Sequence, residues 1–168
     1  MHKNYYLLFL LSLVFISSAC SPTLYVVPET YKYDDDISFT IEKLHDYKNG
    51  QISSYSVDKG FKAVEVWVNI TNHSVTTKRI DLENILLLEP NSHRIYKPQL
   101  SMGEGIGGTE GRLQPPIKKG ETKSRRLVFA YPEQEKPELL MVNGTTYHLQ
   151  YTSAPPPVVN NVKSSDNE

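Results

Sequence analysis

Apolar and polar residues alternate with a period of two along much of the chain. The clearest stretch is "GFKAVEVWVNITN", in which positions 64, 66, 68 and 70 are valine or isoleucine, while Glu65, Trp67 and Asn69 lie between them. This alternation is typical of a β-strand that buries one face and exposes the other. The stretch therefore predicts a long strand whose tryptophan points away from the core.

The same period recurs at residues 37–41, 127–131 and 147–151. Asn143-Gly144 is a typical two-residue hairpin turn, and no long helical period follows position 20. Short strands separated by turns predict an all-β fold, either a sandwich or a barrel. We expect two sheets packed face to face, with the valine face of the long strand buried against 127–131 and 147–151.

The two ends of the chain differ in composition from its centre. Residues 20–36 combine prolines, tyrosines and three consecutive aspartates, and we interpret them as a flexible tether. Residues 153–168 are Pro-rich and then polar, with too little apolar surface to offset the entropy of ordering, which predicts a disordered tail. The expected folded domain is residues 37–152.

Residues 1–19 have the features of a removable secretion signal. Residues 5–16 carry no charge and follow Lys3. A run of this length is typical of a signal peptide, whereas a membrane-spanning helix needs roughly 20 apolar residues. The run ends in Ser17, Ser18 and Ala19, small residues of the kind that signal peptidases accept.

The segment "ISSAC" resembles the lipobox of bacterial lipoproteins. This resemblance implies cleavage before Cys20, a diacylglycerol on its thiol and attachment to a membrane through that lipid. Ser17 departs from the apolar residue usual at its position, and a plain signal peptide with a chance cysteine is the alternative. Because Cys20 is the only cysteine, the folded part holds no disulfide. Ser21 stands where aspartate retains enterobacterial lipoproteins in the inner membrane, which favours the outer membrane of the cell envelope.

Three later stretches together resemble a second group. They are "GFKAVEVWVNITNHS", "IDLENILLLEPNSHRIY" and "IKKGETKSRRLVFAYP". Their order is similar to that of an Ig-like domain of unknown function found in bacterial lipoproteins, the DUF4352 type. The similarity covers most of residues 60–132 and implies that the fold is an immunoglobulin-like β-sandwich. It implies little chemistry, because the activity of that family is largely undefined.

Composition and motifs give little sign of catalysis or of nucleic-acid binding. The formal net charge of −1 argues against a nucleic-acid partner, which requires a basic surface. Gly103, Gly105 and Gly108 match a dinucleotide fingerprint, but the residues that follow cannot begin the helix that this site needs, so we interpret them as a flexible loop. The histidines are scattered, and the S-x-x-K at Ser56 lacks the other β-lactamase motifs in the required order. We therefore expect no enzyme activity, no cofactor and no metal.

Trp67 and the nearby Phe61 are candidates for an interaction surface. An outward aromatic patch can mark an interface; the alternative is a tryptophan covered by the tether or by residues 101–112. The glycine loop is a second candidate, since loops on rigid sandwiches often contact partners. We expect a lipid-anchored, non-catalytic interaction module with a protein partner. The alternative is a small-ligand carrier or an enzyme whose site has no recognisable motif.

Overall fold

We describe the protein from a computed structural model. The structure describes residues 23–47, 51–52, 55–103, 110–111 and 113–153. Cys20, the expected signal peptide and residues 154–168 lie outside this part. Within it, strands dominate and the helical content is one 3-10 turn, Leu82–Asn84. No helix in these ranges is long and apolar enough to cross a membrane.

The described strands form two main sheets, and every strand pair among them is antiparallel. The large sheet has the order β11-β10-β13-β6-β3-β1-β16, and β2 pairs with β3 as well. Its strands are β1 (Thr23–Val26), β2 (Thr30–Lys32), β3 (Ile37–Tyr47), β6 (Phe61–Asn72), β10 (Pro98–Met102), β11 (Glu110–Gly111), β13 (Thr122–Pro132) and β16 (Tyr151–Thr152).

The small sheet has the order β15-β14-β8-β9, and two ribbons, β4–β5 and β12–β7, complete the described strands. The members of the small sheet are β8 (Ile85–Leu88), β9 (Ile95–Tyr96), β14 (Leu139–Val142) and β15 (Thr145–His148). The ribbons are formed by β4 (Gln51–Ile52) with β5 (Tyr55–Ser56) and by β7 (Lys78–Arg79) with β12 (Pro116–Ile117).

The core lies between the two main sheets. The valine face of β6 belongs to one buried cluster with Ile85 and Leu87 of β8 and with Leu140 and Val142 of β14. The predicted all-β sandwich is therefore confirmed. The expected partner of the valine face is wrong in one respect, because residues 127–131 lie in β13, beside β6 in the same sheet. Alternation identifies a buried face but not the strand that covers it.

The expected tether is also wrong for residues 23–36, which form part of the large sheet. Strand β1 pairs with one half of β3, and β2 pairs with the other half. Val26 and Tyr31 are completely buried, so this segment gains enough apolar contact to offset its ordering entropy. The aspartates form the turn into β3, where the Asp34 carboxylate accepts hydrogen bonds from the backbone N–H groups of Asp36 and Ile37.

The predicted hairpin at Asn143-Gly144 is confirmed. Strands β14 and β15 pair in register on either side of it. Both turn residues have positive φ, 47° at Asn143 and 85° at Gly144. Asparagine and glycine tolerate this left-handed backbone better than other residues, and two such residues match the twist of the strands that they join.

Candidate functional site: the outer face of the large sheet

Five side chains form a row across the face of the large sheet that points away from the core. They occupy directly opposed positions on neighbouring strands, so each lies beside the next. We call this set the outer row; its members in order are Tyr25 (β1), Lys43 (β3), Trp67 (β6), Arg126 (β13) and Met102 (β10). Two aromatic rings and two cations thus alternate across four strands, with a thioether at the end.

A β-bulge in β3 decides which side chains of that strand reach the outer row. Ile41 pairs with Val68 and Lys43 pairs with Trp67, so Glu42 is an extra residue between them. The bulge reverses the alternation: Ile41 faces the core before it, whereas Lys43 faces outward and Leu44 faces the core after it. Without the bulge, Lys43 would lie on the buried face.

Trp67 is held between the two cations of the row. Lys43 Nζ lies 4.1 Å from the centre of the indole ring, and Arg126 Cζ lies 5.3 Å from it. Both distances fall within the range of favourable cation–π contact. The indole is half-buried, so its orientation is fixed while part of its surface stays accessible.

Glu65 is the buried anchor of this arrangement. It is 1% exposed, and its Oε2 accepts hydrogen bonds from Trp67 Nε1 at 3.0 Å and from the Tyr47 hydroxyl at 3.3 Å. Arg126 Nη1 lies 3.2 Å from Oε1 and forms an ion pair with it. Burial, reinforced by the negative charge of Glu65, raises the pKa of the Tyr47 hydroxyl. The carboxylate thus orients three neighbouring side chains and compensates the charge of Arg126.

His45 lies beside the outer row and connects it to Thr23, the first residue of β1. Its ring centre is 6.1 Å from that of Trp67, and its Nδ1 is 3.3 Å from Thr23 Oγ1. Burial lowers the pKa of His45; the charge of Lys43 acts in the same direction and that of Glu65 opposes it. The neutral imidazole is therefore favoured, which limits repulsion with Lys43.

A second apolar cluster covers the outer face next to the row. Its buried members are Ile52, Ala63, Met102 and Val128, and side chains of the β4–β5 region pack against them. The cluster lies beside Glu65, because Val128 directly opposes Glu65 in the sheet, although Glu65 belongs to the face that the sequence pattern predicts to be polar. Burial on both faces of β6 explains how a charged residue in the middle of the strand becomes inaccessible.

The structure brings some of the sequence-predicted site residues together and separates others. Trp67 is central to the outer row, and the Gly103 carbonyl accepts a hydrogen bond from Arg126 Nη2 at 3.4 Å. Phe61 is six residues from Trp67 along β6, a separation of about 20 Å, and its ring packs against Tyr96 instead. Gly105, Gly108 and Cys20 lie outside the described residues.

Sequence reasoning missed the residues that make Trp67 a site. In the sequence, Glu65 has only the pattern of an outward-facing polar residue. The apolar cluster beside it includes Ile52, which comes from a different segment of the chain. Lys43 follows a regular alternation that an unpredicted bulge interrupts. Tyr25 lies in the segment that composition predicts to be a tether. The outward position of Trp67 was the one local signal that pointed to this face.

The geometry of the site suits recognition better than proton transfer. The Glu65 carboxylate already has an ion pair and two hydrogen bonds, so it is poorly placed to act as a base on another molecule. Among the described residues, no group of three or more His, Cys, Asp and Glu side chains could hold a metal ion. What the outer row offers is a partly accessible indole with the charge of Lys43 above it.

Comparisons with known proteins support the fold. No family model matches the chain, and no curated protein matches it. Among solved structures, it resembles an uncharacterized β-sandwich protein from Clostridium difficile 630, whose crystal structure was determined at 1.90 Å resolution. The TM-score is 0.52 at 17% identity, over 80% of this chain and 97% of the other. At this identity the likeness establishes a β-sandwich and nothing about activity.

Proposed function

We propose that this protein is a lipoprotein of the bacterial cell envelope, anchored through Cys20, that acts as a non-catalytic interaction module. Its interaction surface is the outer row. The lipobox-like segment before Cys20 supports the anchor. The resemblance to Ig-like domains of the DUF4352 type fits this role, since those domains occur in bacterial lipoproteins.

One observation carries the assignment of the surface: Trp67 is oriented before any partner arrives. The hydrogen bond to buried Glu65 and the two flanking cations restrict its motion. A rigid aromatic side chain loses little entropy on binding, and tryptophan is enriched among the residues that dominate interface energies. A tryptophan that served only as packing would gain no evident advantage from this hydrogen bond and these two cation contacts.

The anchor is tested by replacing Cys20 with alanine and labelling cells with a radioactive fatty acid. We expect the wild-type protein to incorporate label and to migrate at the size of the processed chain. Cys20→Ala should incorporate none and should accumulate as the longer precursor, because the thiol that accepts the diacylglycerol is gone. A Ser21→Ala variant, which keeps the thiol, should be labelled normally.

A Cys20→Ala protein that matures to normal size and carries label would contradict the proposed anchor. Normal maturation of the wild-type protein and of Cys20→Ala, with no label in either, would also contradict the proposed anchor, because an ordinary secreted protein behaves in this way. Either result would leave the fold and the geometry of the outer row unchanged.

A further inference from the structure

We propose that the partner of the outer row is the phospholipid headgroup layer of the membrane in which the protein is anchored. The inference rests on the proposed anchor at Cys20 and adds to it an orientation: the sandwich lies with the outer row against the bilayer surface.

The first argument is the shortness of the connection between Cys20 and the fold. Strand β1 begins at Thr23, so two residues separate the lipid attachment from the sheet, and the three steps from Cys20 to Thr23 span at most about 11 Å. Thr23 opposes His45 in the sheet, and His45 packs near Trp67. With neighbouring strand positions up to about 8 Å apart, Lys43 lies within roughly 20 Å of an anchored Cys20, and Trp67, one strand farther, within roughly 27 Å.

The second argument is the chemistry of the row. Tyrosine and tryptophan concentrate at the headgroup level of membranes, because their rings are apolar while the hydroxyl or the indole N–H remains polar. Tyr25 and Trp67 supply both types beside two cations. Lys43 there can extend its charge toward phosphate groups while its methylene chain stays near apolar surface.

The third argument is the state of Lys43. Among the residues that the structure describes, it has no ion-pair partner; its charge lies against the face of Trp67. Arg126, by contrast, is compensated by Glu65. The ammonium group of Lys43 is therefore the charge of the row that is available to a phosphate, and its position over the indole places both groups at the same depth.

The experiment uses the processed, lipid-bearing protein in vesicles of phosphatidylcholine and phosphatidylglycerol. Flotation of the vesicles reports the anchor. Trp67 is the only tryptophan in the chain, so its fluorescence, quenched by phosphatidylcholine that carries a spin label on its headgroup, reports contact of the row with the headgroup layer. We expect the protein to float and Trp67 to be quenched.

Lys43→Gln and Lys119→Gln form a matched pair, because each removes one positive charge. We expect Lys43→Gln to lower the ratio of docked to undocked protein, measured from the quenched fraction, about fivefold, as for the loss of one cation at an anionic surface. Lys119 lies in the turn before β13, at the end of the sheet far from Thr23, since Thr122 opposes Thr71 and Arg126 opposes Trp67. Lys119→Gln should leave the quenching unchanged. Circular dichroism confirms that both variants fold.

Protein that floats while Trp67 remains unquenched would overturn the membrane-facing orientation and leave the anchor intact. Protein that fails to float would overturn the anchor and the orientation together. An equal loss of quenching in Lys43→Gln and Lys119→Gln would also overturn the orientation, because it would show a general attraction to anionic lipid. Protection of Trp67 by a protein in native membranes, with no quenching in protein-free vesicles, would assign the row to a protein partner instead.

Discussion

Glu65 shows how a single residue organises the candidate site. A carboxylate that is almost completely buried is costly unless its oxygens are satisfied. Here the indole N–H of Trp67 and the hydroxyl of Tyr47 donate to one oxygen; the other has no hydrogen-bond partner among the described residues and is compensated by its ion pair with Arg126. The residue thus connects the aromatic and the cationic parts of the outer row.

Glu65→Ala should lower the free energy of unfolding by about 3 kcal/mol, because it leaves the partly buried guanidinium of Arg126 without its counterion. Urea unfolding followed by Trp67 fluorescence measures this loss, and the emission of the folded variant should also shift as the indole loses its acceptor. Asp35→Asn is the control: its ion pair with Lys32 is solvent-exposed at both ends, so it should unfold at the wild-type urea concentration. Equal midpoints for Glu65→Ala and wild type would contradict the structural role of Glu65.

At the scale of elements, local chemistry decided some features and long-range packing decided others. The turn at Asn143-Gly144 follows from two residues that accept a left-handed backbone. The bulge between Ile41 and Lys43 has no comparable local signal. Contacts on both faces of the sheet stabilise the bulge: Leu44 packs in the core on one face, and Lys43 contacts Trp67 on the other.

Gly144→Ala should destabilise the β14–β15 hairpin by about 1 kcal/mol, because alanine in the left-handed region brings its Cβ close to its own backbone carbonyl. Apart from its two chain neighbours, no described residue has an atom within 4 Å of the added Cβ, so the cost comes from backbone conformation. Thermal unfolding measures it. Gly111→Ala is the comparison for the effect of φ, because Gly111 lacks a positive φ. The Cβ added there would instead lie 3.4 Å from the Ser101 carbonyl oxygen. A Gly144→Ala protein as stable as wild type would contradict the turn geometry.

At the scale of the whole molecule, the N-terminal segment belongs to the sandwich. Tyr31 of β2 is fully buried, stacks on Phe39 at 5.3 Å between ring centres and meets the Tyr147 ring edge-on at 5.1 Å. It therefore touches both the large sheet and the small one. The segment that composition predicts to be a spacer closes one edge of the core, and two residues lie between Cys20 and the fold.

Tyr31→Ala should lower the free energy of unfolding by about 3–5 kcal/mol, as for other large aromatic residues removed from a core. Tyr31→Phe should be as stable as wild type or more stable, because the buried hydroxyl has no hydrogen-bond partner among the described residues. Denaturant unfolding of the two variants distinguishes a core residue from one in a free tether. If Tyr31→Ala unfolded like wild type, the assignment of β2 to the core would be wrong.

Tyr31→Phe, compared with the wild-type protein in denaturant unfolding at several pH values, also tests a pH dependence. Burial, with a smaller contribution from Glu29, raises the pKa of Tyr31 from 10.0 to about 12. A raised folded-state pKa favours the neutral form, so its stabilising effect is complete below pH 10 and is lost as the pH rises toward 12. The stability advantage of Tyr31→Phe over wild type should therefore grow across this window.

The all-β class, the long strand with its buried valine face, the outward position of Trp67 and the hairpin at Asn143-Gly144 can all be predicted from the amino-acid sequence. These features follow from alternation and backbone preference, which are properties of neighbouring residues. Three other features become visible only in the folded chain: β13 lies beside β6, β1 and β2 join the large sheet, and Glu65 is buried. The tertiary structure also decided the outer row, whose five members come from five separate strands. Strand order and register depend on which segments, far apart in the sequence, bury each other's apolar surface best. The pattern of neighbouring residues carries no information about that choice.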